Sequence, residues 1–182
     1  AGDLSLSTSS GEIVMAQKND KNIVVTFNWT TGTNNGTGAS ISYVLQIDKK
    51  GNNFANQHVF DMGKAVYTKT FSVADLNKSL LEEYGFVSQV SSNLEARVIA
   101  TINTSPVIQQ TSSVITIKVT PYEPVITTFY LIGNSSPNGC DASKAIDLTP
   151  DSDNPKTFVF SGTLVTGSYK FITTLGQFFP SS

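Results

Sequence analysis

Tyr43, Leu45 and Ile47 alternate with Val44, Gln46 and Asp48, and the run Lys-Lys-Gly-Asn-Asn follows at once. Alternation with period 2 is the mark of a strand with one buried face, and Gly and Asn tolerate the backbone angles of a reversal. The chain therefore makes a strand over Tyr43 to Asp48 and turns directly after it. The apolar face of that strand needs a covering layer, and the segments on either side read as its partners in a sandwich.

Ile23, Val25, Phe27 and Trp29 alternate with Val24, Thr26 and Asn28, which predicts a core strand whose buried face holds all four large apolar groups. Thr30 to Ser40 contains Gly32, Asn34, Asn35, Gly36 and Gly38 and reads as a long hairpin loop into the Tyr43 strand. A short strand is expected between Lys64 and Phe71. The period then changes: Ser72 or Asp75 caps a short helix with Leu76, Leu80 and Leu81 on one stripe, Gly85 ends it, and it plugs one end of the sandwich. Leu94, Ala96, Val98 and Ala100 face inward from the next strand while Glu95, Arg97 and Thr101 face out, and Ile115, Ile117 and Val119 supply the last strand. Residues 1 to 11, apolar only at Leu4 and Leu6, make a frayed lead-in or a short edge strand.

About six or seven short strands with an inward Trp and no alternation of strand and helix describe an all-β immunoglobulin-like or fibronectin-like sandwich. Pro121-Tyr122-Glu123-Pro124 cannot continue a central strand and reads as a short, semi-rigid linker. The domains are placed at residues 1–122 and 123–182. The second holds an apolar strand, Phe129 to Ile132, a turn-rich stretch from Gly133 to Gly139, and strands at Thr157 to Ser161 and Ser168 to Thr173. About 60 residues after the prolines fall short of the roughly 100 of a complete sandwich, so the second domain is expected to be an incomplete, truncated β-sandwich.

Composition excludes several kinds of chemistry. A net charge of −2 supplies no basic footprint for nucleic acid. One cysteine, Cys140, and one histidine, His58, cannot build an intrachain disulfide or a Cys/His zinc cluster, and no cofactor is implied. His58 lies near the Gly51-Asn52-Asn53 turn with no nucleophile motif around it, so the chain reads as a non-enzyme. Asp147, Asp151 and Asp153 are interrupted by Pro150 and Pro155 and read as loop acids rather than calcium ligands. The sequons at Asn28, Asn35, Asn77, Asn103 and Asn134 are explained by composition.

The residues that suggest binding are Phe178 and Phe179, followed by Pro180, with Tyr169-Lys170-Phe171 just before. Flat aromatic faces stack on the C–H surfaces of sugars, and a nearby amine fixes hydroxyl groups. Alternating Tyr169 and Phe171 are expected in the core. Of Phe178 and Phe179, adjacent on a strand, at most one is buried and the other is free to stack, with Lys170 as hydrogen-bond donor.

Phe27-Asn28-Trp29, Tyr43 to Asp48 with Lys-Lys-Gly-Asn-Asn-Phe-Ala, Ala74-Asp75-Leu76-Asn77, Leu94 to Ala100 and Val119-Thr120-Pro121-Tyr122 together resemble the N-terminal domain of SusE-type proteins over residues 10 to 122. Tyr130-Leu131-Ile132-Gly133, Asn138-Gly139, Gly162, Leu164, Gly167 and Tyr169-Lys170-Phe171 resemble the start of a SusE/SusF starch-binding domain. Where that family commonly has tryptophans, this chain has Cys140 and Phe178-Phe179. The resemblance implies a non-catalytic, surface glycan-binding lipoprotein of a Bacteroidetes polysaccharide-utilisation system. Its first domain is then a spacer and its second captures starch-like α-glucan or another polysaccharide, beside other glycan-uptake proteins. It also implies attachment to the extracellular face of the outer membrane through an N-terminal lipid upstream of Ala1, and further chain after Ser182. A structural or adhesive Ig-like module without sugar binding shares the same architecture.

Overall fold

In this computed structural model, residues 2–126, 128–151, 154 and 156–177 are described. The chain divides into two compact units, Ala1–Glu123 and Pro124–Ser182.

The first unit is built on nine strands: β1 (Leu6–Thr8), β2 (Glu12–Val14), β3 (Ile23–Trp29), β4 (Ile41–Lys49), β5 (His58–Lys64), β6 (Thr68–Ser72), β7 (Ser92–Ile102), β8 (Ile108–Thr111) and β9 (Ile115–Thr120). One sheet has the order β1-β3-β6. The other runs β2-β9-β7-β4-β5, with β8 also on β7. The two sheets enclose one core in which Val25, Phe27 and Trp29 of β3 meet Tyr43, Leu45 and Ile47 of β4 and Leu94, Ala96, Val98 and Ala100 of β7. Each such side chain, taken fully out of water, contributes about 1.5–3 kcal/mol. This is the expected immunoglobulin-like or fibronectin-like all-β sandwich.

Ile23 departs from the expected core face and is 60% exposed. The β3–β6 register shifts between Ile23 and Val25, and such a bulge turns the preceding side chain off the face set by alternation. Residues 30–40 are not a hairpin. β3 and β4 belong to different sheets, so this segment crosses from one to the other. Gln110 of β8 holds it by a two-pronged contact: its Nε2 donates to the Thr33 carbonyl at 2.8 Å and its Oε1 accepts from the Thr33 N–H at 3.2 Å.

β8 and β9 lie end to end along one side of β7. Between them Ser112 is buried, and its hydroxyl accepts from the Val98 N–H at 3.0 Å while its own N–H donates to the Val98 carbonyl at 2.9 Å. The ladder thus stays satisfied across the break.

Helix α1 (Val73–Lys78) begins at Ser72, whose Oγ accepts from the Asp75 N–H at 3.1 Å, the bond of an N-cap. It continues as a wider π-type turn over Ser79–Glu83 and ends before Gly85, at φ +66°. Leu76 and Leu80 are fully buried and Leu81 is half-buried, so the helical stripe enters the core as its spacing predicts.

Pro121-Tyr122-Glu123 is not a free linker. Asn77 bonds both backbone groups of Tyr122, the Tyr122 hydroxyl donates to Asp20 Oδ1 at 2.6 Å, and the Gln89 N–H donates to the Pro121 carbonyl at 2.7 Å. The prolines stop the strand, but the chain stays tied to the first unit through Tyr122.

The second unit contains β10 (Phe129–Ile132), β11 (Ile146–Pro150), β12 (Phe158–Val159) and β13 (Lys170–Ile172) in one antiparallel sheet of order β12-β11-β10-β13. Strand β11 was not expected from the sequence, and it places Asp147, expected to be a loop acid, on a strand.

Candidate functional site

The apolar run of β10 is paired on both sides, with Phe129 opposite Leu148 and Leu131 opposite Phe171. Residues opposite one another in an antiparallel ladder share a face, and successive residues alternate. Phe129, Leu131, Leu148 and Phe171 therefore lie on one face, and Ile132, Lys170 and Ile172 on the other. The second face is covered: Ile132, Ile172 and Ala142 form a small core with Tyr130 and Ala145 against it. Ala142 belongs to a short 3-10 turn, Ala142–Lys144, capped by Asp141. The Asp141 carboxylate accepts from the Ser143 hydroxyl at 2.6 Å and N–H at 3.0 Å, and these bonds, with Lys144 nearby, hold its pKa below the usual carboxylate value.

The first face carries an aromatic cluster. Phe129 meets Phe158 edge to face at 4.7 Å and Phe171 at 6.3 Å, and Phe171 meets Tyr169 at 5.6 Å. Phe129, Leu148, Phe158 and Phe171 line a cleft of about 210 Å³. Tyr169 is 52% exposed and Phe171 is 45% exposed. This corrects the expectation that both are core. Alternation places them on one face, where Leu131 and Leu148 of the inner strands are buried, but Tyr169 and Phe171 lie at the sheet's edge strand and stay about half exposed.

The approach to β13 is set by a lock between two loops. Asn134 Oδ1 accepts from the Ser168 N–H at 2.7 Å and hydroxyl at 3.3 Å, and the Ser135 hydroxyl donates to the Ser168 carbonyl at 3.1 Å. Gly133, at φ +146°, lies so close that a Cβ there would sit 2.2 Å from the Ser168 carbonyl oxygen. The turn chemistry of residues 133–139 thus positions Tyr169 and Phe171.

Of the residues proposed from sequence, Lys170 lies on β13, exposed, and lines a shallow pocket of about 140 Å³ with Ile132, Gly133, Cys140, Ser168 and Tyr169. Alternation puts its side chain on the face opposite Phe171. Phe178 and Phe179 lie outside the described residues. The sequence reading missed Phe129 and Phe158 as surface aromatics. Phe158 pairs opposite Pro150 on a strand that falls within the expected Thr157 to Ser161, but alternation along one strand does not show that pairing brings its ring against Phe129.

The remaining candidates are engaged elsewhere. His58 Nδ1 is 3.1 Å from Glu83 Oε2, and its ring meets Tyr84 at 4.5 Å. Asp147 lies on β11, Asp151 follows it, and Asp153 lies outside the described residues. Among the described residues no group of three or more His, Cys, Asp or Glu gathers to hold a metal. Asn77 is 1% exposed and Asn134 is locked to Ser168, so these two sequons have structural roles.

A family model described as SusE outer membrane protein matches residues 1–99. Among solved structures the chain is similar to SusF from Bacteroides thetaiotaomicron, at 19% identity and a TM-score of 0.41. That similarity covers 94% of this chain but only 39% of the SusF chain. No curated protein matches.

Proposed function

We propose, from the premise that this chain belongs to the SusE outer membrane protein family, that it is a non-catalytic glycan-binding protein of the cell surface. Its ligand is a polysaccharide or oligosaccharide, α-glucan being the first candidate, and an N-terminal lipid holds it to the extracellular face of the outer membrane. Residues 1–122 are its spacer and the region from 123 onward carries the sugar.

The observation that carries this division is where the aromatic faces go. Phe27, Trp29 and Tyr43 are buried in the first unit, while Tyr169 and Phe171 of the second are about half exposed. Stacking on a sugar needs an exposed ring face. Tyr169 and Phe171 offer a stacking surface, Phe178 or Phe179 is the further stacking platform expected from the sequence, and Lys170 serves ligand groups that reach round the edge of β13. Such a surface supports weak binding, with a dissociation constant on the order of millimolar, about −4 kcal/mol.

One observation favours a second reading. The cleft at Phe129 and Phe158 is lined by four apolar side chains, whereas sugar sites combine apolar faces with placed polar groups. On that reading the face is a packing surface rather than a sugar site, and the chain is a structural or adhesive module. Affinity electrophoresis through gels containing amylopectin or other polysaccharides separates the two. Retardation by at least one polysaccharide, without release of reducing ends, supports glycan capture, and free migration through all of them supports the second reading.

A further inference from the structure

We propose that residues 1–123 form a load-bearing tether, in which tension between the two ends of the sandwich is carried as shear along its terminal strands. The chain enters at one end of the unit. Leu6 pairs with Trp29, the Ser5 N–H donates to Thr30 Oγ1 at 2.9 Å, and the Thr30 hydroxyl donates to the Asp3 carbonyl at 2.7 Å. This is also the end where β7 finishes, because Ile102 pairs with Ile41 at the far side of the crossing segment that starts after Trp29. The chain leaves at the opposite end, where Val119 pairs with Ser92 at the start of β7. Entry and exit are thus separated by the length of β7, about 35 Å at a strand rise of about 3.3 Å per residue.

The strand nearest the entry that meets the exit strand is β2, and it runs parallel to β9, with Glu12 opposite Lys118 and Val14 opposite Thr120. Drawing entry and exit apart pulls β2 toward one end and β9 toward the other. The strands then slide lengthwise past each other, and the bonds between them are strained together instead of one after another. These bonds include Met15 N–H to the Thr120 carbonyl and Lys118 N–H to the Gly11 carbonyl, both 3.0 Å, with the Lys118–Glu12 ion pair at 2.8 Å alongside. β1, antiparallel to β3, is also pulled along its own axis. Beyond β9 the load meets the side-chain clamp on Tyr122 before it reaches the ladder.

A source for the tension, polysaccharide held by the second unit of an anchored protein, rests on the function proposed above; the resistance itself does not. The test is single-molecule pulling on the full 182-residue chain with Cys140→Ser, so that handles attach only where cysteines are introduced. One variant carries Gly2→Cys and Pro124→Cys and loads the unit end to end. The other carries Lys18→Cys and Pro124→Cys, whose handles both sit at the exit end, so that the β2–β9 pair opens bond by bond. All three positions are exposed. Sharing the load among two or three ladder bonds predicts an unfolding force about two- to threefold higher end to end. Equal forces, or a lower force end to end, overturn the proposal. Neither result depends on whether a glycan binds.

Discussion

The side-chain amide of Asn77 pairs with both backbone groups of Tyr122: Oδ1 accepts from its N–H at 2.8 Å and Nδ2 donates to its carbonyl at 3.2 Å. One buried side chain on the helix thereby does for the exit segment what a neighbouring strand does for a ladder. Removing it leaves two backbone groups without partners. Asn77→Ala is expected to destabilise the first unit by about 2–3 kcal/mol, read as a lower urea midpoint at unchanged slope. A midpoint within error of the parent contradicts the clamp.

Burial, and then the hydrogen bond to Asp20, push the Tyr122 phenol up to about 12. Burial, with Tyr67 beside it, does the same to Tyr43, whose hydroxyl donates to the Thr31 carbonyl. A folded pKa above the unfolded value means stability that is complete below the unfolded pKa and lost as pH rises through the folded one. Stability should therefore hold to about pH 10 and fall toward pH 12. Tyr122→Phe should lower stability at neutral pH and make the alkaline loss shallower, measured by urea titration across the pH series. An unchanged alkaline slope would remove Tyr122 from the account.

Ser72 accepts from the Asp75 N–H and donates to Asp75 Oδ2 at 2.7 Å. Ser72→Ala should cost about 1 kcal/mol, the usual worth of an N-cap, with Ser72→Gly milder. Thermal melts of the two variants check the order.

Gly133→Ala should unfold or displace the second unit while sparing the first, because the added methyl meets backbone atoms of Ser168 and Tyr169 that cannot rotate away. The cost lies at the upper end of the about 0.5–3 kcal/mol common to single substitutions. Hydrogen exchange should show lost protection over residues 130–132 and 170–172 and unchanged protection over β4 and β7. Equal protection in both units counts against the lock at Ser168.

The strands that bury one clean face, β3, β4, β7 and β9, were legible because alternation and burial coincide there. The capped helix was legible from Ser72 and its leucines. β5 was not, since a register shift between Tyr43 and Val44 on its partner breaks the period around Asp61 and Gly63. β8 was hidden by Gln109 and Gln110, polar side chains whose use, a clamp on Thr33 in the case of Gln110, is visible only in three dimensions. Ile23 was misplaced by a bulge that leaves no mark in composition. At the candidate site, period 2 put Tyr169 and Phe171 on one face correctly, but it says nothing about whether another layer covers that face.

The central claim, that sugar is captured on the aromatic surface of the second unit, is tested most directly by calorimetric titration of maltoheptaose and a panel of other oligosaccharides. The parent chain is compared with Tyr169→Ala, Phe171→Ala, Phe178→Ala and Phe179→Ala. The account predicts weak, saturable binding of at least one glycan, with a dissociation constant on the order of millimolar. It also predicts that at least one of these substitutions weakens binding about tenfold, equivalent to about 1.4 kcal/mol. Binding that survives all four unchanged, or the absence of binding to every glycan, would contradict it.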